Sequence, residues 1–231
     1  MGNQPSEETV QAFKCIWQEA ARINSKWQIL QRVFAERNIP LLQKTDPLFF
    51  IFCQEGMARD TLMGICRLTD PERQGRKGKY ENMTIERLVR LAKADGLPGA
   101  DGLAGKLSWL KKCASVREIR DARNKRAGHW DAETALAWLA SPEPKAGFGP
   151  HHLRAAVTLV NDLVNEAAKV LRQHSRPLGP DSGSPDAGQK LIEALEKAAS
   201  LEEAIRAIEA AKEQPELRTI TPARSKDQPK P

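Results

Sequence analysis

Apolar residues recur at helical spacing along nearly the whole chain, and this pattern constrains the fold more than any other feature of the sequence. Across residues 153–171, for example, apolar side chains return every three or four positions, which places them on one face of an amphipathic helix. No stretch alternates apolar and polar residues for long, so strand signals are scarce. The sequence therefore predicts an all-α protein built as a helical bundle.

Capping residues and prolines divide this pattern into separate helices. The predicted helices span residues 7–23, an extension or new helix that Pro40 ends, and then 47–68, 84–94, 103–127, 131–140 and 153–171. Asp46-Pro47 is the clearest start, because Asp caps free N–H groups and proline suits the first turn. The helix that follows is apolar over most of its surface early on, which places it at the centre of the core. The basic, glycine-containing stretch 72–79 predicts a loop.

Composition changes at Arg176, and this change defines the predicted domain organisation. The sequence predicts a helical domain over residues 5–175, a Pro/Gly/Ser linker over 176–189, a short helical segment over 190–213 and a disordered tail over 214–231. The 190–213 segment forms one helix or two, and either pairs with a partner or packs on its own bundle. Both arrangements fit the sequence.

Charge and cysteine content narrow the class of protein. The formal net charge of +6 favours anionic partners such as nucleic acid, although a mixed, solvated helical surface explains it too. The four cysteines form no C-x-x-C pair and have no histidine at zinc-finger spacing. We interpret them as reduced core residues of a cytoplasmic protein, and we expect neither a metal nor a cofactor. No apolar run approaches the roughly 18 residues of a membrane span, so no membrane association is expected.

The segment RNKRAGH, residues 123–129, is the one with chemical specificity. Arg123 can hold two phosphate oxygens, Asn124 offers a donor and an acceptor, and His129 can exchange a proton near neutral pH. Together they suit metal-independent RNA cleavage, in which a base deprotonates a 2′-OH and the arginine stabilises the developing charge. Six residues rotate a helix by about 600°. Arg123 and His129 therefore meet only if the helix ends near Gly128, or if a two-fold dimer completes the site.

A purely structural interpretation of Arg123 and His129 is the alternative to a catalytic one. Arg123 then pairs with a carboxylate, and His129 caps a helix end, where a cation is favoured. R-N-x4-H is a weak pattern by itself in a chain with 36 lysines and arginines. Arg126 lies three residues before His129, on roughly the same helix face, and is a candidate for phosphate contact together with Lys125 and Arg120.

Two segments resemble the HEPN superfamily. Residues 119–131, IRDARNKRAGHWD, resemble its signature of an arginine, a polar residue and then a histidine. Residues 64–71, GICRLTDP, with residues 82–85 and Leu88, are similar to the helix-then-loop region of HEPN proteins related to the U-type abortive-infection proteins of bacteria. The resemblance covers about residues 5–175. It implies a bundle of roughly four core helices, usually homodimeric, and for many members a metal-independent endoribonuclease of toxin–antitoxin, CRISPR or phage-defence systems.

The resemblance also implies roles for individual residues. It makes His129 the acid/base, Arg123 the phosphate-binding residue that stabilises the transition state, and Asn124 a polar helper. Some HEPN toxins carry a regulatory tyrosine two residues after the histidine, but Asp131 occupies that position here. The expected partners are RNA (tRNA or mRNA), a second copy of the chain and an antitoxin. Because some members bind without cutting, the alternative is a non-catalytic module that binds RNA, a nucleotide or a protein.

Overall fold

Helices account for nearly all the regular structure in the part of the chain that can be described. The structure, a computed structural model, describes residues 3–74, 80–124, 150–172, 177–179 and 187–213. The helices within those ranges are α1 (Glu7–Val33), α2 (Ile39–Thr45), α3 (Pro47–Thr69), α4 (Ile85–Ala94), α5 (Ala100–Lys112), α6 (Ala114–Ala122), α7 (Pro150–Val170) and α8 (Ala187–Glu213). The all-α fold class is confirmed.

Short elements connect some of these helices. A 3-10 turn, Glu36–Asn38, precedes α2. Two strands of two residues each, β1 (Arg73–Gln74) and β2 (Tyr80–Glu81), pair antiparallel between α3 and α4. The sequence predicted only a loop in this region, and two residues per strand are too few to produce an alternating pattern.

Local sequence signals set several helix ends. Ser6, Asp46 and Thr84 cap α1, α3 and α4, and each side chain accepts a hydrogen bond from the backbone N–H three residues on. Gly96 follows α4 with a φ of +64°, a left-handed conformation that glycine adopts without strain. The predicted start at Asp46-Pro47 and the predicted helix 84–94 are therefore confirmed.

The first helix runs through the bundle, and its buried face explains why it is one long element. α1 packs along α3 and also contacts α4, α7 and α8. Ile16 and Trp27, from the two parts of the apolar pattern, belong to the same core cluster. The second apolar set therefore continues the first helix past Ser25. The prediction that Pro40 ends this helix is wrong, because α1 ends at Val33 and Pro40 lies in the first turn of α2.

The position predicted for α3 is wrong for its first two turns. Its second half is buried, with Ile65 and Leu68 at 0% and 1% exposure. The first two turns instead expose their large apolar side chains to solvent. These are Leu48, Phe49, Ile51 and Phe52. An apolar run indicates burial only where a neighbouring element covers it, and Phe50 is the residue of this run that is buried.

The helix predicted over residues 103–127 is broken at Cys113. The ψ of Cys113 is 134°, which takes the backbone out of the helical region between α5 and α6. Leu110 and Val116 are both buried, yet six positions on one straight helix would leave them about 120° apart. The bend allows both side chains to reach the same core.

The C-terminal region of the described chain docks on the bundle. The 190–213 segment is a single helix, α8, and its Ile192 joins a small second core with Val33, Leu42 and Phe50. Upstream of α8, Leu178 is buried. The side chain of Asn165 donates to the backbone carbonyl of Leu178 and accepts from its backbone N–H, each at 2.8 Å. The predicted helix 131–140, the following loop as far as residue 149 and the tail 214–231 lie outside the described residues.

Candidate functional site

α6 carries the first residues of the RNKRAGH segment at its C-terminal end. Val116 and Ile119, three positions apart, are fully buried and fix this helix on the core. Arg123 continues the helical backbone, with a φ of −58° and a ψ of −51°, and its N–H donates to the carbonyls of Ile119 and Arg120. The backbone of Arg123 is therefore held by a helix that is fixed on the core.

Asp70, the residue that ends α3, contacts both arginines of α6. One carboxylate oxygen lies 2.5 Å from Nη1 of Arg123, and the other lies 3.9 Å from Nε of Arg120. The side chains of Asp70, Arg120 and Arg123 are only 13%, 22% and 23% exposed. Water therefore screens these charges less than it does those of a fully exposed ion pair. The contacts join the two helices at one corner of the bundle.

Arg120 also caps the C-terminal end of α3. Its guanidinium donates a hydrogen bond to the backbone carbonyl of Thr69. The last carbonyls of a helix lack partners within it, and the helix dipole favours a cation there. The hydroxyl of Thr69 is committed elsewhere, since it donates to the carbonyl of Ile65 at 2.8 Å. Arg120 is thus directed toward α3.

Arg123 is held on two sides while part of its side chain stays accessible. Its Nη1 faces Asp70, and its Nε donates to Oδ1 of Asn124 at 3.1 Å. Asn124 itself is exposed. A guanidinium has five N–H donors in a planar fork, so these two contacts leave donors that can bind a phosphate oxygen. The arrangement is suited to recognising an anion with an arginine whose orientation is already fixed.

Cys66 lies beneath this cluster and is chemically quiet. Burial raises the pKa of its thiol to about 11, and the nearby positive charges of Arg123 and Arg120 offset only part of that effect. The thiol is therefore protonated near neutral pH. Because the thiolate is the nucleophilic form, Cys66 is a core residue and not a candidate nucleophile.

The structure brings together three of the six predicted site residues. Arg120, Arg123 and Asn124 lie around the C-terminal end of α6. The remaining three fall outside the described residues: Lys125, Arg126 and His129. Sequence reasoning assigned Asp70 no role beyond the end of α3. The available signal was its place in the GICRLTDP segment, which carries part of the family resemblance.

The described ranges contain neither a metal-binding cluster nor a membrane-spanning helix. Among those residues, no three histidine, cysteine, aspartate or glutamate side chains are grouped so that they could hold a metal ion. None of the helices there combines the length and apolar character needed to cross a bilayer.

Comparison with known proteins identifies one family. A family model named HEPN_AbiU2, described as AbiU2, matches residues 6–187. No curated protein and no solved structure matches the chain. The matched range includes both α3 with Asp70 and α6 with Arg123, and it reaches the first residue of α8.

Proposed function

The chain belongs to the AbiU2 family of HEPN proteins, and we propose that it is a metal-independent endoribonuclease of an abortive-infection or toxin–antitoxin system. The observation that carries this proposal is the setting of Arg123. Its guanidinium is partly exposed and lies between Asp70 and Asn124. An arginine whose orientation is fixed before it meets a phosphate loses little freedom on binding, and this favours stabilisation of a transition state.

The proposed reaction is a transesterification within the RNA. His129 removes the proton from a ribose 2′-OH, and the oxygen attacks the adjacent phosphorus. The bond between phosphorus and the 5′ oxygen breaks, which leaves a 2′,3′-cyclic phosphate on one fragment. The 5′ oxygen takes up a proton and leaves as a hydroxyl on the other. Arg123 donates to the non-bridging oxygens as their charge increases, and Asn124 assists as a neutral donor.

The neighbouring cations extend the proposed site along the RNA. Lys125 and Arg126 contact phosphates that flank the cleaved bond, where Lys and Arg supply affinity without sequence preference. Arg120 was predicted for the same role. Its contacts with Thr69 and Asp70 favour a positioning role for it, in which it holds α6 against α3.

The proposed partners follow from this chemistry and from the family. The substrate is RNA, either tRNA or mRNA, and an antitoxin restrains the activity until infection. A second copy of the chain is also a proposed partner, as homodimers are usual in HEPN proteins.

A non-catalytic HEPN module is the second candidate, and one observation favours it. Asp70 already gives Arg123 an internal counter-charge, which is the arrangement expected of an arginine that only joins two helices. In that case the protein binds RNA, a nucleotide or a protein, and binding survives the loss of His129.

Cleavage of labelled total RNA and tRNA in EDTA tests the proposal. We expect the wild type to produce fragments with cyclic phosphate ends, and we expect Arg123→Ala and His129→Ala to lose cleavage by at least 100-fold. Arg117→Ala is the matched control, since it removes an exposed arginine from the same helix. It should cleave like the wild type. Circular dichroism verifies that each variant is folded.

The outcomes separate the two candidates. Cleavage that persists in His129→Ala would contradict the proposed mechanism. RNA binding without cleavage by the wild type, unchanged in His129→Ala, would establish the binding module instead.

A further inference from the structure

α8 has two apolar faces, and one of them packs on the bundle. Gly188, Ile192 and the half-buried Leu195 face α1 and α2. The approach is tight at Gly188, where an added Cβ would lie 3.2 Å from Cβ of Arg32. The face ends near Ala199, and every residue from 200 to 210 is exposed. The second half of α8 therefore extends beyond the core that holds its first half.

The other apolar face is exposed along its length. It is rotated by roughly 120° from the docked face, and its residues alternate spacings of three and four, as in the seam of a coiled coil. This set, which we call the α8 seam, consists of Leu191, Ala194, Ala198, Leu201, Ile205 and Ile208. Leu201 is 63% exposed and Ile208 56% exposed. Seven-residue spacing of this kind is the pattern that pairs one helix with another.

The side of α8 opposite the seam meets the end of α2. Nζ of Lys44 is 2.7 Å from a carboxylate oxygen of Glu203, which lies about 160° around the helix from its seam neighbours Leu201 and Ile205. This contact therefore leaves the seam uncovered.

We propose that the α8 seam joins two copies of this chain as a parallel two-stranded coiled coil. The charges that flank the seam select this occupant and this direction. In a parallel pair, the residue just before every second seam position faces the residue five positions later in the other helix. Here Lys197 is such a residue, because it precedes Ala198 of the seam. Lys197 of one copy then faces Glu202 of the other, and the two-fold axis makes this contact twice.

The competing arrangements lack that match. In an antiparallel pair, Lys197 faces a lysine or an alanine of the partner helix. Glu202 then faces a glutamate or a leucine. An unrelated partner gives no reason for the flanks to complement each other within one sequence. α8 lies almost entirely after the family-matched residues 6–187, so this pairing belongs to the C-terminal extension of the chain.

Solution mass tests the proposal on the full chain. At about 100 µM the wild type should scatter light as twice its 25.7 kDa. Ile205→Asp should be monomeric, because it places a charge in the middle of the seam. Ala207→Asp is the matched control, since it introduces the same residue two positions away, off the seam, and it should remain dimeric.

Charge exchange tests the direction of pairing. Lys197→Glu alone and Glu202→Lys alone should each weaken the dimer by about tenfold, because both repeats of the contact become repulsive. An equimolar mixture of the two variants should recover dimers, since both contacts then join opposite charges. A monomeric wild type, or a dimer that survives Ile205→Asp, overturns the proposal. A dimer lost in Ile205→Asp without recovery in the mixture overturns the parallel arrangement.

Discussion

The contact between Asp70 and Arg123 should be a measurable bond between α3 and α6. We expect Asp70→Ala to lower the free energy of unfolding by about 2–3 kcal/mol, since it leaves two partly buried arginines without their carboxylate. Arg123→Ala should cost about 1–2 kcal/mol, because Asp70 keeps its neighbour Arg120. The double variant should lose less than the sum of the two.

The magnitude follows from the geometry. With their charges about 4 Å apart, a carboxylate and a guanidinium attract by about 4 kcal/mol at an effective dielectric constant of 20. Desolvation on folding and the remaining exposure of both side chains offset about half or more of this. The coupling free energy between Asp70 and Arg123 should therefore be about 1–2 kcal/mol.

A double-mutant cycle in urea measures this coupling directly. Arg117→Ala serves as the control, and its exposed side chain should change stability by no more than about 0.5 kcal/mol. A coupling below about 0.3 kcal/mol would refute the idea that Asp70 holds Arg123. The same variants also test function, because cleavage should fall at least tenfold in folded Asp70→Asn if Arg123 must be oriented before it binds phosphate.

Two further predictions concern packing and pH. Gly64→Ala should lower the free energy of unfolding in urea by about 1–3 kcal/mol, since the new Cβ would lie 2.6 Å from Cγ1 of Ile23. The control, Gly56→Ala, has nothing within 4 Å of the new Cβ and should be neutral or stabilising by up to about 1 kcal/mol. Equal effects of the two variants would contradict this account of the α1–α3 contact. Hydrogen bonds from Arg90 hold the pKa of Glu72 below its usual range. Glu72 therefore stabilises the fold at pH values above its unfolded-state pKa of about 4.3. This contribution is lost as the pH falls through the lower folded-state pKa. Acid unfolding from pH 5 to 2 should therefore remove about 1–2 kcal/mol more from the wild type than from Glu72→Gln, and parallel curves for the two would show that this ion pair contributes nothing.

The sequence predicted those features of the fold that depend on neighbours along the chain. The caps at Asp46 and Thr84 require only a side chain and a backbone N–H three residues away, so local spacing identifies them. The fold class was equally accessible, because helical periodicity reflects a buried face of each helix. Features that depend on other elements were missed. Nothing near Cys113 marks the bend, which becomes necessary only because Leu110 and Val116 share one core.

The candidate site shows the same division. The RNKRAGH segment was visible as a motif because its residues are adjacent in sequence. Asp70 was not, since it is 53 residues from Arg123 and had a sufficient local explanation as the end of α3. Its role becomes apparent only when α6 packs against α3 and brings the arginines to that helix end.

The length of α3 bears on how the two proposals relate. Phe50, in its first two turns, shares a core cluster with Ile192 of α8, while Asp70 follows its last residue. A rise of 1.5 Å per residue separates Phe50 from Asp70 by about 30 Å along the helix. A dimer formed at the seam therefore leaves Arg123 and its neighbours outside the interface and open to RNA. It follows that disrupting the seam with Ile205→Asp should leave the cleavage of RNA by each chain unchanged. If that monomer were inactive although folded, the site would need a second copy. Such a need has a geometric reason, because Arg123 and His129 would point about 120° apart on one straight helix.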